Sequence, residues 1–275
     1  MELKSKSAII TGGGRGIGKA IARAFLEAGA SVAIASRNRD ELEKAGEELS
    51  KFGPVRSFRA DISQEEDVRQ LVSEVLRTFG SVDVLVNNAG VQGPIGRFWE
   101  VDFEDWIENV RVNLIGTARC TRQVLPVMIS KKAGKIINLS GGGATSPRPW
   151  FSAYGTGKAA VVRFTETLAE EVKEYHIDVN AIAPGAVNTR MLEEVLEAGG
   201  EKTGEKEFHE ARDRNEKGGT TPDLAAALAV FLASPESDGL TGRLISAVWD
   251  DWRQFSPDRI KEIMSGNLYT LRRVS

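Results

Sequence analysis

Thr11-Gly12-Gly13-Gly14-Arg15-Gly16-Ile17-Gly18 stands between two very different neighbours. Before it runs a short apolar stretch, Ser7-Ala8-Ile9-Ile10-Thr11, which reads as a buried strand. After it comes a helical pattern with Ile17, Ile21, Ala24, Phe25 and Ala28 on one face, stopped by Gly29. A glycine-rich turn in that position lets the backbone approach a pyrophosphate closely. The helix behind it offers free N–H groups and a partial positive charge. The spacing G-x-x-x-G-x-G is neither the usual dinucleotide fingerprint nor a P-loop, because no Gly-Lys-Ser/Thr follows.

Outward from this loop the chain alternates. Ser31 to Ser36 reads as a strand, Asp40 to Leu49 as a charged amphipathic helix, and Val55 to Ala60 as a third strand. Gln64 to Phe79 follows as a helix and Val82 to Val86 as a strand, and one long helical stretch covers Phe103 to Met128. Lys135 to Ser140 is a strand, Ala153 to Tyr175 a helix and Ile177 to Ala183 a strand. Apolar rather than alternating strands, separated by helices, predict an α/β fold: a parallel sheet covered on both faces. No repeat or linker divides the chain, so residues 1–275 are expected to form one domain. Arg190 to Thr220 is charged and glycine-dotted. Because it follows the C-terminal end of a strand, where open α/β sheets bind ligands, it reads as a mobile substrate lid.

Composition narrows the function. Of 275 residues 28 are glycine, about 10% against a usual level of about 7%. A net charge of −3, with 41% hydrophobic and 27% charged residues, argues against a general nucleic-acid binder or a polybasic membrane-surface protein. Cys120 is the lone cysteine, excluding an internal disulfide and a cysteine-based zinc site; His176 and His209 leave little for a histidine-centred metal. No apolar run is long enough for a signal peptide or a membrane span, and the expectation is a soluble, cytoplasmic, single-core protein with no metal.

Further along stand Asp61-Ile62, Asn87-Asn88-Ala89-Gly90, Asn113, Tyr154-Gly-Thr-Gly-Lys158 and Pro184-Gly185. With TGGGRGIG, this series resembles the classical short-chain dehydrogenase/reductase family in order and spacing, over roughly residues 5 to 245. The resemblance implies a doubly wound, Rossmann-like sheet of seven strands that binds a nicotinamide dinucleotide. By it, Gly12, Gly14, Arg15, Gly16, Ile17 and Gly18 would cradle the phosphates, and Asp61 with Ile62 would meet the adenine. Asn88, Ala89 and Gly90 would form the cofactor's floor. Pro184, Gly185, Val187 and Thr189 would complete the set, with Thr189 on the carboxamide. A homotetramer is also implied, packed through the Phe103–Met128 and Ala153–Tyr175 helices.

Charge bears on which cofactor. NAD-preferring sites place a carboxylate at the end of the second strand, on the ribose 2′-hydroxyl. Here Ser36 and Arg37 occupy that position, and Arg15 faces the same region. Two guanidinium groups suit a 2′-phosphate, so NADP(H) is favoured over NAD(H); Arg39 reads as ordinary surface charge.

Tyr154 and Lys158 lie four apart and project from one helix face. An ammonium beside a phenol, together with the positive nicotinamide of an oxidised cofactor, favours the phenolate and brings proton transfer into the physiological range. Tyr154 would therefore exchange a proton with a carbonyl or alcohol oxygen. Lys158 would also hold the nicotinamide ribose, and Asn113 resembles the family's asparagine behind the lysine. One position departs from the family. Thirteen residues before the tyrosine, where the family carries an oxyanion-stabilising serine, stands Gly141. Ser140 is taken as the replacement, with Thr145 and the N–H groups of Gly141 to Gly143 as other candidates.

Pro147 to Phe151 should form one pocket wall, with Arg148 able to pair with an anionic group, and Phe98 and Trp99 a second. The stretch from residue 247 to 275 extends past the family's usual end and is expected to cover a pocket or a neighbouring subunit. The leading reading is an NADP(H)-dependent carbonyl reductase or alcohol dehydrogenase acting on a small molecule. A 3-oxoacyl-thioester reductase and a sugar or polyol dehydrogenase are equal within it. The rival is a non-catalytic NADP(H)-sensing regulatory protein on the same fold.

Overall fold

A computed structural model describes residues 2–273. The one-domain expectation also takes in Met1, Val274 and Ser275, which lie outside the described residues. Seven parallel strands form one sheet: β1 (Ser7–Thr11), β2 (Ser31–Ser36), β3 (Val55–Arg59), β4 (Val84–Asn87), β5 (Gly134–Leu139), β6 (Ile177–Ala183) and β7 (Leu244–Ser246). Their order is β3-β2-β1-β4-β5-β6-β7, so the winding reverses between β1 and β4. The crevice beyond the C-terminal ends of those two strands is where such sheets take ligands. Every residue of β1 and β4 is buried, which explains their unbroken apolar runs; edge strand β3 carries exposed Arg56, Ser57 and Arg59.

Helices α1 (Gly16–Glu27), α2 (Arg39–Leu49) and α3 (Glu65–Phe79) connect the first four strands. Asn38 caps α2 by accepting the Glu41 N–H, and Gly80 closes α3 in the left-handed conformation. The long Phe103–Met128 stretch divides into α4 (Phe103–Val110), a π-helical turn Arg111–Gly116 and α5 (Thr117–Lys131). Helix α6 (Ser152–Glu171) carries the predicted tyrosine and lysine, and a short 3-10 turn follows it through Tyr175.

Past β6 the lid segment is two helices, α7 (Arg190–Thr203), kinked at Gly199, and α8 (Glu205–Lys217). Helix α9 (Pro222–Ala233) has no counterpart in the sequence reading. Its run PDLAAALAVFLA is apolar on every side, so it shows no stripe, although Thr221 caps it and Pro222 opens it. It packs against α1 and fills one layer of the core with small side chains.

The C-terminal stretch folds back on its own body. Leu244 N–H donates to Tyr269 O at 2.8 Å, and the Arg243 guanidinium donates to Ile263 O and Gly266 O, holding α10 (Pro257–Ser265). Trp252 and Phe255 are buried against Phe231 of α9, and Tyr269 packs on Phe255. No helix among the described residues is long and apolar enough to cross a membrane.

Candidate active site

Two turns meet at the reversal of the sheet. The Thr11 hydroxyl accepts the N–H groups of Asn88 (3.0 Å) and Ala89 (3.1 Å), and Asn88 Nδ2 donates to Thr11 O (2.9 Å) and Gly12 O (3.2 Å). The β4 turn therefore fixes the glycine loop itself. Gly12 has φ +65°, and a Cβ there would lie 2.8 Å from Asn88 Nδ2 and 2.9 Å from Ala89 Cα. A Cβ on Gly18 would run into the Gly12 carbonyl. These two glycines answer to close packing of strand, loop and helix.

Gly14, by contrast, would give a built Cβ only ordinary contact, with nothing nearer than 3.7 Å. The first-turn N–H groups of α1, at Gly16, Ile17 and Gly18, lack intrahelical partners. A glycine backbone edge beside free N–H groups fits a pyrophosphate. Thr189 sits over this edge, its Cγ2 3.4 Å from a Cβ built on Gly16. Pro184 is buried, Val187 bridges to Thr220, and Gly185 lies against Val248 of the C-terminal extension.

At the end of β2, Ser36 Oγ accepts the Asn38 N–H at 3.2 Å. Arg37 Nη1 is 3.8 Å from Asp61 Oδ2, and Arg15 Nη1 is 3.1 Å from Glu41 Oε1. All four of these charged side chains are partly or largely exposed. Glu41 is thus a carboxylate that the reading of Ser36 did not anticipate. Ile62 is buried beneath Gly116 of the π-helical turn, and Arg39 pairs with Glu43 on the surface.

Beneath the other half of the crevice, Asn113, Lys158 and Gly90 come together. A Cβ on Gly90 would lie 2.6 Å from Asn113 Oδ1 and 3.5 Å from Lys158 Nζ. Asn113 Nδ2 donates to Val91 O and Asn109 Oδ1, both at 2.8 Å. Asn109 in turn donates to Val91 O and Gln92 O. Sequence reasoning missed Asn109, though Asn-x-x-x-Asn one helical turn apart was a usable signal. Lys158 Nζ donates to Leu139 O at 2.9 Å, and burial lowers its ammonium to about 8.

That shift has a thermodynamic sign. Between about pH 8 and about pH 10, the unfolded chain holds a proton at Lys158 that the folded chain releases, so this group makes the fold more stable as pH rises. The expected slope is up to about 1.4 kcal/mol per pH unit, read by chemical denaturation of wild type against Lys158→Met. Equal slopes in the two proteins would refute it.

Tyr154 stands 5.7 Å, ring centroid to Nζ, from Lys158. Burial pushes its phenol above the ordinary value, with the Arg148 charge acting the other way. The ring packs with Phe151 and with lid residues Leu192, Val195 and Ala211. Gln92 Nε2 donates to Met191 O at 3.0 Å, and Trp150 lies against Gly204, so the lid helices rest directly on the site.

Gly141 faces the tyrosine. A Cβ built there falls well inside contact distance of the Tyr154 hydroxyl oxygen and 3.0 Å from its Cζ. The phenol occupies space that a side chain at 141 would need. Ser140 Oγ is buried with no hydrogen-bond partner, and Thr145 is exposed. The expected second aromatic wall is absent: Phe98 and Trp99 are exposed, Trp99 at 77%, and Phe98 packs edge-on against Trp106 of α4.

Known proteins resemble this chain in sequence and in fold. The family model described as short chain dehydrogenase matches residues 6–199. The 3-oxoacyl-[acyl-carrier-protein] reductase FabG of Thermotoga maritima is 36% identical over 251 residues, covering 89% of this chain and 97% of that protein. Oxidoreductase UcpA of Salmonella typhimurium is 37% identical over 244 residues, covering 88% and 92%. Among solved structures, NAD+-bound xylitol dehydrogenase superposes with a TM-score of 0.82 at 28% identity, covering 90% of this chain and 98% of that one.

Proposed function

The chain belongs to the short-chain dehydrogenase family, and from that premise we propose that it is an NADP(H)-dependent oxidoreductase interconverting a carbonyl and a secondary alcohol. The observation that carries this reading is the convergence of Tyr154, Lys158 and Asn113 beside the glycine loop, under one lid. When bound, the nicotinamide cofactor supplies or accepts the hydride. The loop from Gly12 to Gly18, with Asn88, Ala89 and Gly90 beneath it, would hold its phosphates and floor; Asp61 and Ile62 would meet the adenine. Lys158 and Thr189 would orient its nicotinamide half, with Pro184, Gly185 and Val187 lining that end.

Tyr154 gives its proton to the carbonyl oxygen in reduction and recovers it in oxidation. A phenol kept protonated by burial suits the reductive direction. Asn113 and Asn109 lock the Val91 turn under Lys158. Closure of α7 and α8 over Tyr154 excludes water from the proton transfer. The relatives' printed activities leave a 3-oxoacyl-thioester reductase and a polyol dehydrogenase as the substrate classes to try.

Preference for NADP(H) rests on Arg15 and Arg37. Their present carboxylate partners, Glu41 and Asp61, form exposed pairs that contribute little and can yield to a phosphate. The test combines binding with turnover. NADPH should bind more tightly than NADH, and Arg37→Ala should weaken NADPH by about tenfold or more while hardly changing NADH, since charge-assisted hydrogen bonds contribute about 1.5–3 kcal/mol. Absorbance of the reduced nicotinamide should fall when a ketone panel is added. Tight NADPH binding without turnover of any ketone or alcohol would instead make the chain a cofactor sensor.

We further infer a cytoplasmic homotetramer. Its support is the exposed aromatic face of Phe98, Trp99 and Phe103 beside α4, and a lone cysteine, Cys120, that leaves the chain without an internal disulfide. A monomer in sedimentation would overturn the assembly.

A further inference from the structure

We propose that Arg148 is a carboxylate-binding residue of the substrate pocket, and that Glu207 of the lid occupies it in the ligand-free protein. The inference rests on the oxidoreductase reading and names the substrate class within it: a carbonyl compound bearing a carboxylate, or the corresponding hydroxy acid.

The guanidinium of Arg148 is partly buried, 3.8 Å above the Phe151 ring and 5.9 Å from the Tyr154 ring centre. It thus lies one small molecule's length from the proton donor. Its Nη1 also lines the Gly142 backbone, 3.6 Å from where a Cβ would stand. Its acidic partner is Glu207 Oε1 at 2.6 Å, and Arg214 Nη2 approaches the same oxygen at 3.7 Å.

Glu207 belongs to α8, whose flanks, Gly204 and Gly218, have positive φ, as does Gly199 at the kink of α7. A lid pivoting there withdraws the carboxylate and leaves a cation beside Tyr154. With the lid carboxylate withdrawn the guanidinium has lost its closest ion-pair partner, so a ligand that restores a carboxylate there is favoured. A guanidinium fork stacked on an aromatic face presents two parallel N–H groups, the geometry a planar carboxylate matches. Glu207 marks the spot at which that carboxylate sits. The ion pair would then be a competitor for substrate, displaced when an oxo acid binds.

The probes are 4-oxopentanoate and its methyl ester, which share a ketone and differ in charge. In wild type, kcat/KM for NADPH-dependent reduction should favour the acid at least tenfold. Arg148→Lys should collapse that acid-to-ester ratio at least tenfold, chiefly through the acid's KM. Glu207→Gln should raise the ratio by removing the competitor. If the pair only latches the lid, both substrates fall together in both variants and the ratio is unchanged, which overturns the proposal, as does wild-type turnover with no preference for the acid. Reduction of neither probe nor of any other ketone counts against the oxidoreductase reading instead. Binding then decides for Arg148: 4-oxopentanoate should perturb tryptophan fluorescence from Trp150 in wild type but not in Arg148→Ala. An identical response in both overturns the site.

Discussion

Tyr154→Phe is expected to lower kcat for carbonyl reduction by about two to four orders of magnitude, the range for a positioned general acid. NADPH affinity should stay within about threefold, because an interaction made only in the transition state changes rate without changing ground-state binding. The substitution is clean here. The phenol ring packs with Phe151, Leu192, Val195 and Ala211, and Phe keeps that packing. Removing the oxygen should therefore leave the unfolding midpoint nearly unchanged, so a fall in rate reads as lost chemistry. Steady-state kinetics and a fluorescence titration on the same preparation measure both quantities. A loss below tenfold would mean that another group delivers the proton.

Gly141→Ser should also lower activity, although it introduces the hydroxyl that the family resemblance leads one to expect at this position. The reason is space. A Cβ at 141 needs the volume held by the Tyr154 hydroxyl, and Tyr154 cannot swing aside without disturbing its contacts with Phe151 and the lid. A displacement near 1 Å at the reacting oxygen can cost about a hundredfold in rate. Overpacking of this kind also destabilises by about 1–3 kcal/mol. Gly141→Ala separates the two effects of a serine, since it adds bulk without a hydroxyl. Both variants should lose kcat to a similar extent. A serine variant more active than wild type would show that the tyrosine yields readily and that the glycine is simply a missing catalytic group.

Much of the scaffold could be read because a parallel sheet writes itself in continuous apolar runs. Ile177 to Ala183 is a strand with the expected bounds, and the expected helices after the glycine loop, after β2 and after β3 are all present. The seven-stranded doubly wound architecture follows the resemblance in full. Segments that failed to stand out did so for physical reasons. Helix α9 lacks a polar face, so no periodicity marks it. Position 113 falls in a π-helical turn whose residues carry no distinctive composition.

At the site, spacing alone found Tyr154 and Lys158, since i and i+4 share a face. It could not find partners brought from distant chain. Thr11 with Asn88, Asn109 with Val91, and Arg148 with Glu207 all depend on tertiary folding. Phe98 and Trp99 were misassigned to the pocket because aromaticity does not say which way a ring points. The depth of burial around the phenol is likewise invisible in a linear pattern.

The clasp at the C-terminus bears on the order in which the molecule can be made. Phe231, Leu228 and Leu232 of α9 belong to the same apolar cluster as Trp252, Phe255 and Ile263. A ribosome releases α9 well before those later side chains and Tyr269. During synthesis that face of α9 waits uncovered, while β7 lacks the Tyr269 carbonyl that accepts the Leu244 N–H. Until that later segment has been made and docked, the nascent chain exposes an apolar face, and docking of the clasp closes this part of the core.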